Sequence, residues 1–198
     1  MTRHPDVPHL IAGIDEAGRG CLAGPVTAAA VILPQDHSLK GLNDSKVLSP
    51  KARERLFPQI QQQALAWCIA TASVEEIDAL NILQASLLAM RRAVAGLSQI
   101  PTLCLVDGNQ DPRLNLPTQT VIDGDALHPC IMAASILAKV ARDAELVGLS
   151  GEYPVYGLAR HKGYGTALHL TALREHGPSR IHRLSFAPCA QASLMFRG

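Results

Sequence analysis

Aromatic side chains are scarce in this sequence: three Tyr, three Phe and one Trp among 198 residues. With 47% apolar residues in all, the core has to be built from Ala, Leu and Val, which fits one globular α/β or α+β protein. An excess of either charge is missing too. Lys and Arg number 18 and Asp and Glu 17, so there is no global positive field. Any contact with nucleic acid must come from local basic clusters.

Cysteine pairing is the next absence. Cys21, Cys68, Cys104, Cys130 and Cys189 make an odd number, and no two show C-x-x-C spacing. Cys68 and Cys104 lie in apolar runs, where a reduced thiol behaves as a small hydrophobe. This predicts a reducing cytoplasm, with neither a disulfide frame nor a zinc site. The opening "MTRHPDVPHLIAG" carries no signal-peptide core, and no apolar stretch is long enough to span a bilayer. Internal repeats, low-complexity tracts and long linkers are absent as well.

What is there alternates between apolar runs and helical spacing. "HLIAGID" and "PVTAAAVIL" (25–33) read as two strands joined by a short glycine-rich turn, an antiparallel hairpin. Ser49-Pro50 opens a helix to about Gln63, "AWCIATAS" (66–73) is a third strand, and Ser73 with Glu76 fits a capping box. "NILQASLLAMRRAVAGL" has helical spacing, "TLCLVDG" (102–108) and "QTVID" (119–123) are strands, and His128-Pro129 opens a long helix. A last helix lies in "GTALHLTALREHG", between Thr166 as N-cap and Gly177 as terminator. The order predicts a mixed five-stranded sheet flanked by helices. Residues 1–150 form the core and 151–198 a small helical C-terminal extension, or the two count as a single domain.

Three predicted strands end in an acid beside glycine: Asp15 in "GIDEAG", Asp107 in "LVDGN", and Asp123 and Asp125 in "VIDGD". Any one of these is ordinary turn chemistry. Three at strand ends, with Glu16 adjacent to Asp15, suggest one site, since loops at strand ends converge. Converging carboxylates repel one another unless cations neutralise them. A hard divalent ion such as Mg²⁺ or Mn²⁺ takes oxygen ligands, and two such ions can flank a phosphodiester. Asp15 and Glu16 would point to opposite faces of a strand, so sharing a site requires the strand to end between them.

Other readings fit less well. Gly13-x4-Gly18-Arg19-Gly20 has nearly the spacing of a phosphate-binding loop, but Lys-Ser/Thr is replaced by Arg-Gly and two acids lie inside it. His161, His169 and His176 are spaced seven or eight apart, which reads as exposed surface histidines rather than a zinc site. Rival functions are an actin-like or sugar-kinase ATPase and a nucleic-acid-binding module with a dead site.

Taken in order, "GIDEAGRGCLAGPV", "GLNDSKVLS", "ALNILQASLLAMRRAV", "LVDGN", "GDALHPCIMAASILAKVARD", "YGLARHKGYGT" and "HRLSF" resemble the blocks of the type 2 ribonuclease H family, ribonuclease HII, over nearly the whole chain. The resemblance implies a ribonuclease H-like fold and an endonuclease acting on the RNA of RNA–DNA hybrids and 5′ to single ribonucleotides embedded in duplex DNA. It implies Asp15, Glu16, Asp107 and Asp125 as catalytic acids and metal ligands, the first three on one ion and Asp125 helping with a second. Water attacks phosphorus in line, leaving 5′-phosphate and 3′-hydroxyl ends. Gly18, Arg19 and Gly20 match a segment that reads the ribose 2′-hydroxyl through its backbone, and Tyr164 matches a tyrosine that stacks on the neighbouring deoxyribose. Lys46 is a phosphate contact or a solvated loop lysine. Lys40, Lys51 and Arg53 near one edge, and Arg160, Lys162, Arg180 and Arg183 near another, would track phosphates.

Three positions depart from the family pattern: Cys21 stands where proline is usual, Asp123 where a basic residue is common, and Leu184 where arginine is frequent. Asp123 leaves open which acid of "DGD" meets a metal. The tail segment Gln191-Ala-Ser-Leu194-Met-Phe196 has the spacing of peptides that bind bacterial sliding clamps, with Gln191, Leu194 and Phe196 as anchors; the other reading is an amphipathic tail packed on its own domain. A monomer is expected.

Overall fold

The first two apolar runs pair as expected in the computed structural model, which describes residues 10–196. The first nine residues, which hold most of the stretch read for a signal peptide and the head of the first predicted strand, lie outside the described part, as do 197–198. Strand β1 (Ile11–Ala17) runs antiparallel to β2 (Val26–Ile32), and β2 antiparallel to β3 (Ala66–Ala72). After the helices α1 (Pro50–Gln63), α2 (Val74–Leu80) and α3 (Ile82–Ala95), the chain returns to the other side of β1. There β4 (Leu103–Asp107) lies parallel to β1, and β5 (Thr118–Val121) lies parallel to β4. The sheet order is β3-β2-β1-β4-β5, a mixed five-stranded sheet.

Both faces are covered, which explains why β2 reads as a continuous apolar run and is buried throughout. Ala12, Ile14, Ala28, Ala30 and Val106 pack on one face with Ala85, Ala89, Met90 and Ala93 of α3. On the other face Ala29 and Val31 meet Leu56 and Ile60 of α1 and the apolar stripe of α5 (Pro129–Glu152), from Ala133 to Ala138. Helix α5 presses close to β1: a Cβ on Gly13 would stand 2.2 Å from the Cys130 carbonyl carbon. This glycine is therefore required for packing.

Local signals set the helix ends. The Ser49 hydroxyl accepts from the Ala52 amide, Ser73 and Glu76 cap each other reciprocally, and Thr166 accepts from His169 at the start of α7 (Ala167–His176). Beyond the predicted elements lie the one-turn helices α4 (Gly124–Leu127) and α6 (Leu158–His161), a 3₁₀ turn at Pro154–Tyr156, and α8 (Ala187–Met195). In α8 a proline sits in the first turn, and only Cys189 and Ala192 are buried, too few for a periodic pattern to register. Helix α5 runs to Glu152 and carries the chain across position 150. The C-terminal helices share a core with the rest, in which Leu22, Ala23 and Leu146 pack with Tyr156, Leu158, Leu173, Ile181 and Cys189.

Candidate active site

β1, β4 and β5 run parallel, so their carboxyl ends share one edge of the sheet. Asp15 lies near the end of β1, Asp107 closes β4, and Asp125 enters from α4 immediately after β5. One carboxylate oxygen of each lies within 4.8 Å of the others. Asp15 and Asp125 are both only 4% exposed. The Asp125 amide donates to Asp107 Oδ1 at 3.2 Å, which ties the two loops together. Asp123, two residues earlier, is exposed, sits in left-handed backbone at φ 54°, and is not part of this cluster. The structure thus separates the two acids of "DGD".

The strand does not end between Asp15 and Glu16, contrary to the expectation. β1 continues through both, with Asp15 opposite Ala29 and Glu16 opposite Ala28. The two side chains do point to opposite faces. They reach a common place because β4 accompanies β1 only as far as Ile14, opposite Val106, leaving the flank of Glu16 open toward Asp107. Asp107 accordingly lines both the cleft that holds Asp15 and a small hollow on the α3 side formed by Glu16, Ser86 and Met90. The Glu16 carboxylate is held by Arg19 at 3.1 Å.

Crowding of negative charge dominates the electrostatics. Burial pushes the Asp15 carboxyl well above the usual carboxylate range, and the charges of Glu16 and Asp107 push it further. Burial and the Asp125 charge raise Asp107. Burial raises Glu16 despite the Arg19 guanidinium. With Asp125 these carboxylates make an all-oxygen donor set suited to a hard divalent cation, whose charge would favour the ionised form of Asp15, Glu16 and Asp107. Lys46 adds a second positive charge to that of Arg19. Its ammonium lies 2.7 Å from Asp125 Oδ2, and that bond raises its pKa. In this structure the lysine is an ion-pair partner of Asp125, with most of its side chain still exposed.

Asp15, Glu16, Gly18, Arg19, Lys46, Asp107 and Tyr164 line one cleft of about 240 Å³. Ser135 and Lys139 line it too, although neither stood out in the sequence. Their signal is four-residue spacing of polar groups in the apolar first half of α5, which places both on the face of the helix turned to the acids. The Lys139 ammonium sits 5.2 Å from the Tyr164 ring centroid. Gly18 has φ +93°, and Gly20 has open space where a Cβ would be. Because Gly13 is packed under α5, the stretch from Gly13 to Gly18 forms no phosphate loop.

Two expectations are corrected. Arg183 cannot track phosphates, because it is fully buried and its guanidinium donates to the Arg19, Gly24 and Pro25 carbonyls. Arg53, only partly buried, donates from Nη1 to the Ser45 and Leu48 carbonyls. His161 and His169 are buried rather than on the surface, since α6 and α7 fold them inward against a third buried histidine, His182. Gln191, Leu194 and Phe196 are distant from the acids on α8 and its end, with Leu194, Met195 and Phe196 exposed while Cys189 and Ala192 pack inward.

Comparison with known proteins adds to this geometry. The family model for ribonuclease HII matches residues 12–189. The ribonuclease HII of Bordetella avium is 65% identical over 178 residues, covering 90% of this chain and 88% of that protein. The ribonuclease H2 of Pyrococcus horikoshii OT3 superposes with a TM-score of 0.82 at 26% identity, covering 94% of this chain and 98% of that one. A structure of the PCNA–RNase HII complex from Archaeoglobus fulgidus matches with a TM-score of 0.68 at 28% identity, covering 84% and 87% of the two chains.

Proposed function

The chain belongs to the ribonuclease HII family, metal-dependent endonucleases of the ribonuclease H type, and from that premise we propose that it cuts the RNA strand of RNA–DNA hybrids and cleaves 5′ to single ribonucleotides in duplex DNA. The observation that carries the reading is the convergence of Asp15, Asp107 and Asp125 within 4.8 Å at one sheet edge, with Glu16 beside them. Asp15, Glu16 and Asp107 would hold one divalent ion, Mg²⁺ or Mn²⁺, and Asp125 would help hold a second. When bound, the ions supply Lewis acidity toward the phosphodiester and its attacking water, so that hydrolysis leaves 5′-phosphate and 3′-hydroxyl ends.

The protein's own groups position the substrate. Gly18, Arg19 and Gly20 present backbone to the 2′-hydroxyl, the group that distinguishes a ribonucleotide from its deoxy neighbours. Tyr164, 43% exposed on the same cleft, offers a ring face to the adjacent deoxyribose. Lys46 neutralises Asp125 in the metal-free protein, and a cation in the cluster would release it toward a phosphate. Lys40, Lys51, Arg160, Lys162 and Arg180 carry the remaining backbone contacts, which add affinity without sequence preference. Residues 151–198 act as an extension fused to the 1–150 core, and the five free thiols suit a monomer working in the reducing cytoplasm.

The decisive assay offers three duplexes: one with a single embedded ribonucleotide, one RNA–DNA hybrid and one of plain DNA, each with Mg²⁺, Mn²⁺ or chelator. Cutting of the first two, only with metal, is expected. Cutting of plain DNA, or ATP turnover without any cleavage, would overturn the reading.

We also read the tail as a ligand for a sliding clamp. The Archaeoglobus enzyme was solved with PCNA, and here Leu194 and Phe196 remain 72% and 51% exposed instead of being consumed by the core. Purified bacterial clamp should retain the wild-type chain on a column and lose it on Gln191→Ala with Phe196→Ala. Failure of the wild-type chain to bind would dismiss the motif.

A further inference from the structure

His161, His169 and His182 lie outside the acidic cleft and take no part in the chemistry above, yet all three are buried and linked. His161 stacks on His169 with ring centroids 4.5 Å apart, and His169 Nε2 lies 3.0 Å from His182 Nε2. Two nitrogens facing each other at that distance need one proton between them. The surrounding main chain decides which nitrogen carries it.

The Ser179 amide donates to His182 Nδ1 at 3.0 Å, so that nitrogen is bare and the His182 proton sits on Nε2. His169 Nε2 must then accept it. His169 Nδ1 faces the Tyr164 carbonyl at 3.0 Å, an acceptor only, so it carries the His169 proton. The Gly163 amide donates to His161 Nδ1 at 3.2 Å, which leaves the proton on Nε2, aimed at the Tyr156 carbonyl at 2.8 Å. Each ring thus holds one proton, and every ring nitrogen has a partner of the right kind. A further proton on any ring would confront an N–H with another N–H.

The chain ends on Tyr164. Its carbonyl takes the His169 proton, its amide donates to the His161 carbonyl at 2.9 Å, and its backbone bridges to Cys21 beside the Gly18–Gly20 turn. We propose that His161, His169 and His182 are positioning residues for Tyr164, a neutral chain in which each ring has one fixed tautomer, so that the ring stands over the cleft at the angle the substrate needs. The proposal rests on the reading of Tyr164 as a substrate contact. Burial depresses the pKa of His169, and burial with the neighbouring His169 holds His182 at about 4, in keeping with neutral rings.

The test compares the full-length wild type, Tyr164→Ala, His169→Asn, His169→Gln and the Tyr164→Ala/His169→Gln double variant on the single-ribonucleotide duplex and the hybrid. Asn places an N–H donor where His has Nδ1. Gln places its amide where His has Nε2 and loses the donor to Tyr164. His169→Gln should reproduce the Tyr164→Ala substrate profile, with a loss of about 10- to 100-fold on the more affected duplex, the scale of a reacting group misplaced by about 1 Å. It should add nothing in the double variant, and His169→Asn should restore the wild-type profile. A His169→Gln profile unlike that of Tyr164→Ala, additivity in the double variant, or equal damage from Asn and Gln would overturn the positioning role. Tyr164→Ala by itself judges the reading of Tyr164: equal losses on both duplexes reject it, whereas His169→Gln must copy whichever profile Tyr164→Ala shows. Should His169→Gln fail to fold, ¹⁵N shifts of the wild-type histidines still decide. Protons are expected on Nε2 of His161 and His182 and on Nδ1 of His169, and any other pattern refutes the chain.

Discussion

Asp107→Asn is expected to lower cleavage about a thousandfold or more and, in the absence of metal, to make the protein more stable. The two effects have one cause. A carboxylate that binds a divalent ion contributes several kcal/mol of charge stabilisation in the transition state, and each ~1.4 kcal/mol is a factor of ten in rate. Without the ion, the same carboxylate is a liability, because burial and the Asp125 charge already raise its pKa. An acid whose folded-state pKa lies above its unfolded value binds its proton more tightly when folded. Stability is therefore gained as pH falls through the folded pKa toward the ordinary value of 3.8, and the ionised form costs stability above that window. Asparagine keeps the Oδ1 that accepts from the Asp125 amide and removes the charge.

The melting temperature of metal-free Asp107→Asn should accordingly exceed that of wild type at neutral pH. The gap should close below the ordinary carboxylate pKa. Added Mg²⁺ or Mn²⁺ should raise the wild-type melting temperature and leave the variant unmoved, since only a folded state that binds the ion is stabilised by it. A folded Asp107→Asn that still cut at near wild-type rate would sink the metal assignment.

That Asp107 closes a strand and Asp15 lies near the end of another was legible because strand grammar is local: an apolar run followed by an acid and a glycine marks the neighbourhood of a strand end wherever the strand lies. The caps at Ser49, Ser73 and Thr166 were legible for the same reason, as each bond spans three residues. How Glu16 joins Asp15 was not, because the answer lies in where β4 stops beside β1, across 92 residues of sequence, counting from Ile14 to Val106. Nor was the fate of Arg183 and the histidines. A basic residue in "HRLSF" looks like surface until the fold brings the carbonyls of Arg19, Gly24 and Pro25 to it. His169 looks exposed in a helix of mixed polarity until His161 stacks on one side and His182 meets its edge. Positions satisfied within a turn are readable from the chain alone, and positions satisfied by a distant segment are not.

The Gly18-Arg19-Gly20 turn gives the sharpest division between fold and function. Gly18 lies at φ +93°, and a Cβ there would stand 1.9 Å from Arg142 Nε. Arg142 cannot yield. It is fully buried, and its guanidinium donates to the Ala23, Pro25 and Lys162 carbonyls. Moving it would leave buried acceptors unpaired and a buried charge without partners. Gly18→Ala should therefore cost about 3 kcal/mol or more, from backbone strain together with overpacking. In a domain of this size that is a fall in melting temperature of about 6–12 °C. Two residues on, a Cβ at Gly20 meets nothing within 4 Å, and its φ lies outside the left-handed region. Gly20→Ala should keep its stability within about 0.5 kcal/mol of wild type. If backbone at this turn reads the 2′-hydroxyl, the added methyl intrudes where the sugar must approach, and cleavage beside a ribonucleotide should fall about 10- to 100-fold with folding intact. Paired melting curves and cleavage rates distinguish the two glycines. Unchanged cleavage by a folded Gly20→Ala would remove this turn from the substrate surface and leave Gly18 as a residue kept only for the space that Arg142 takes.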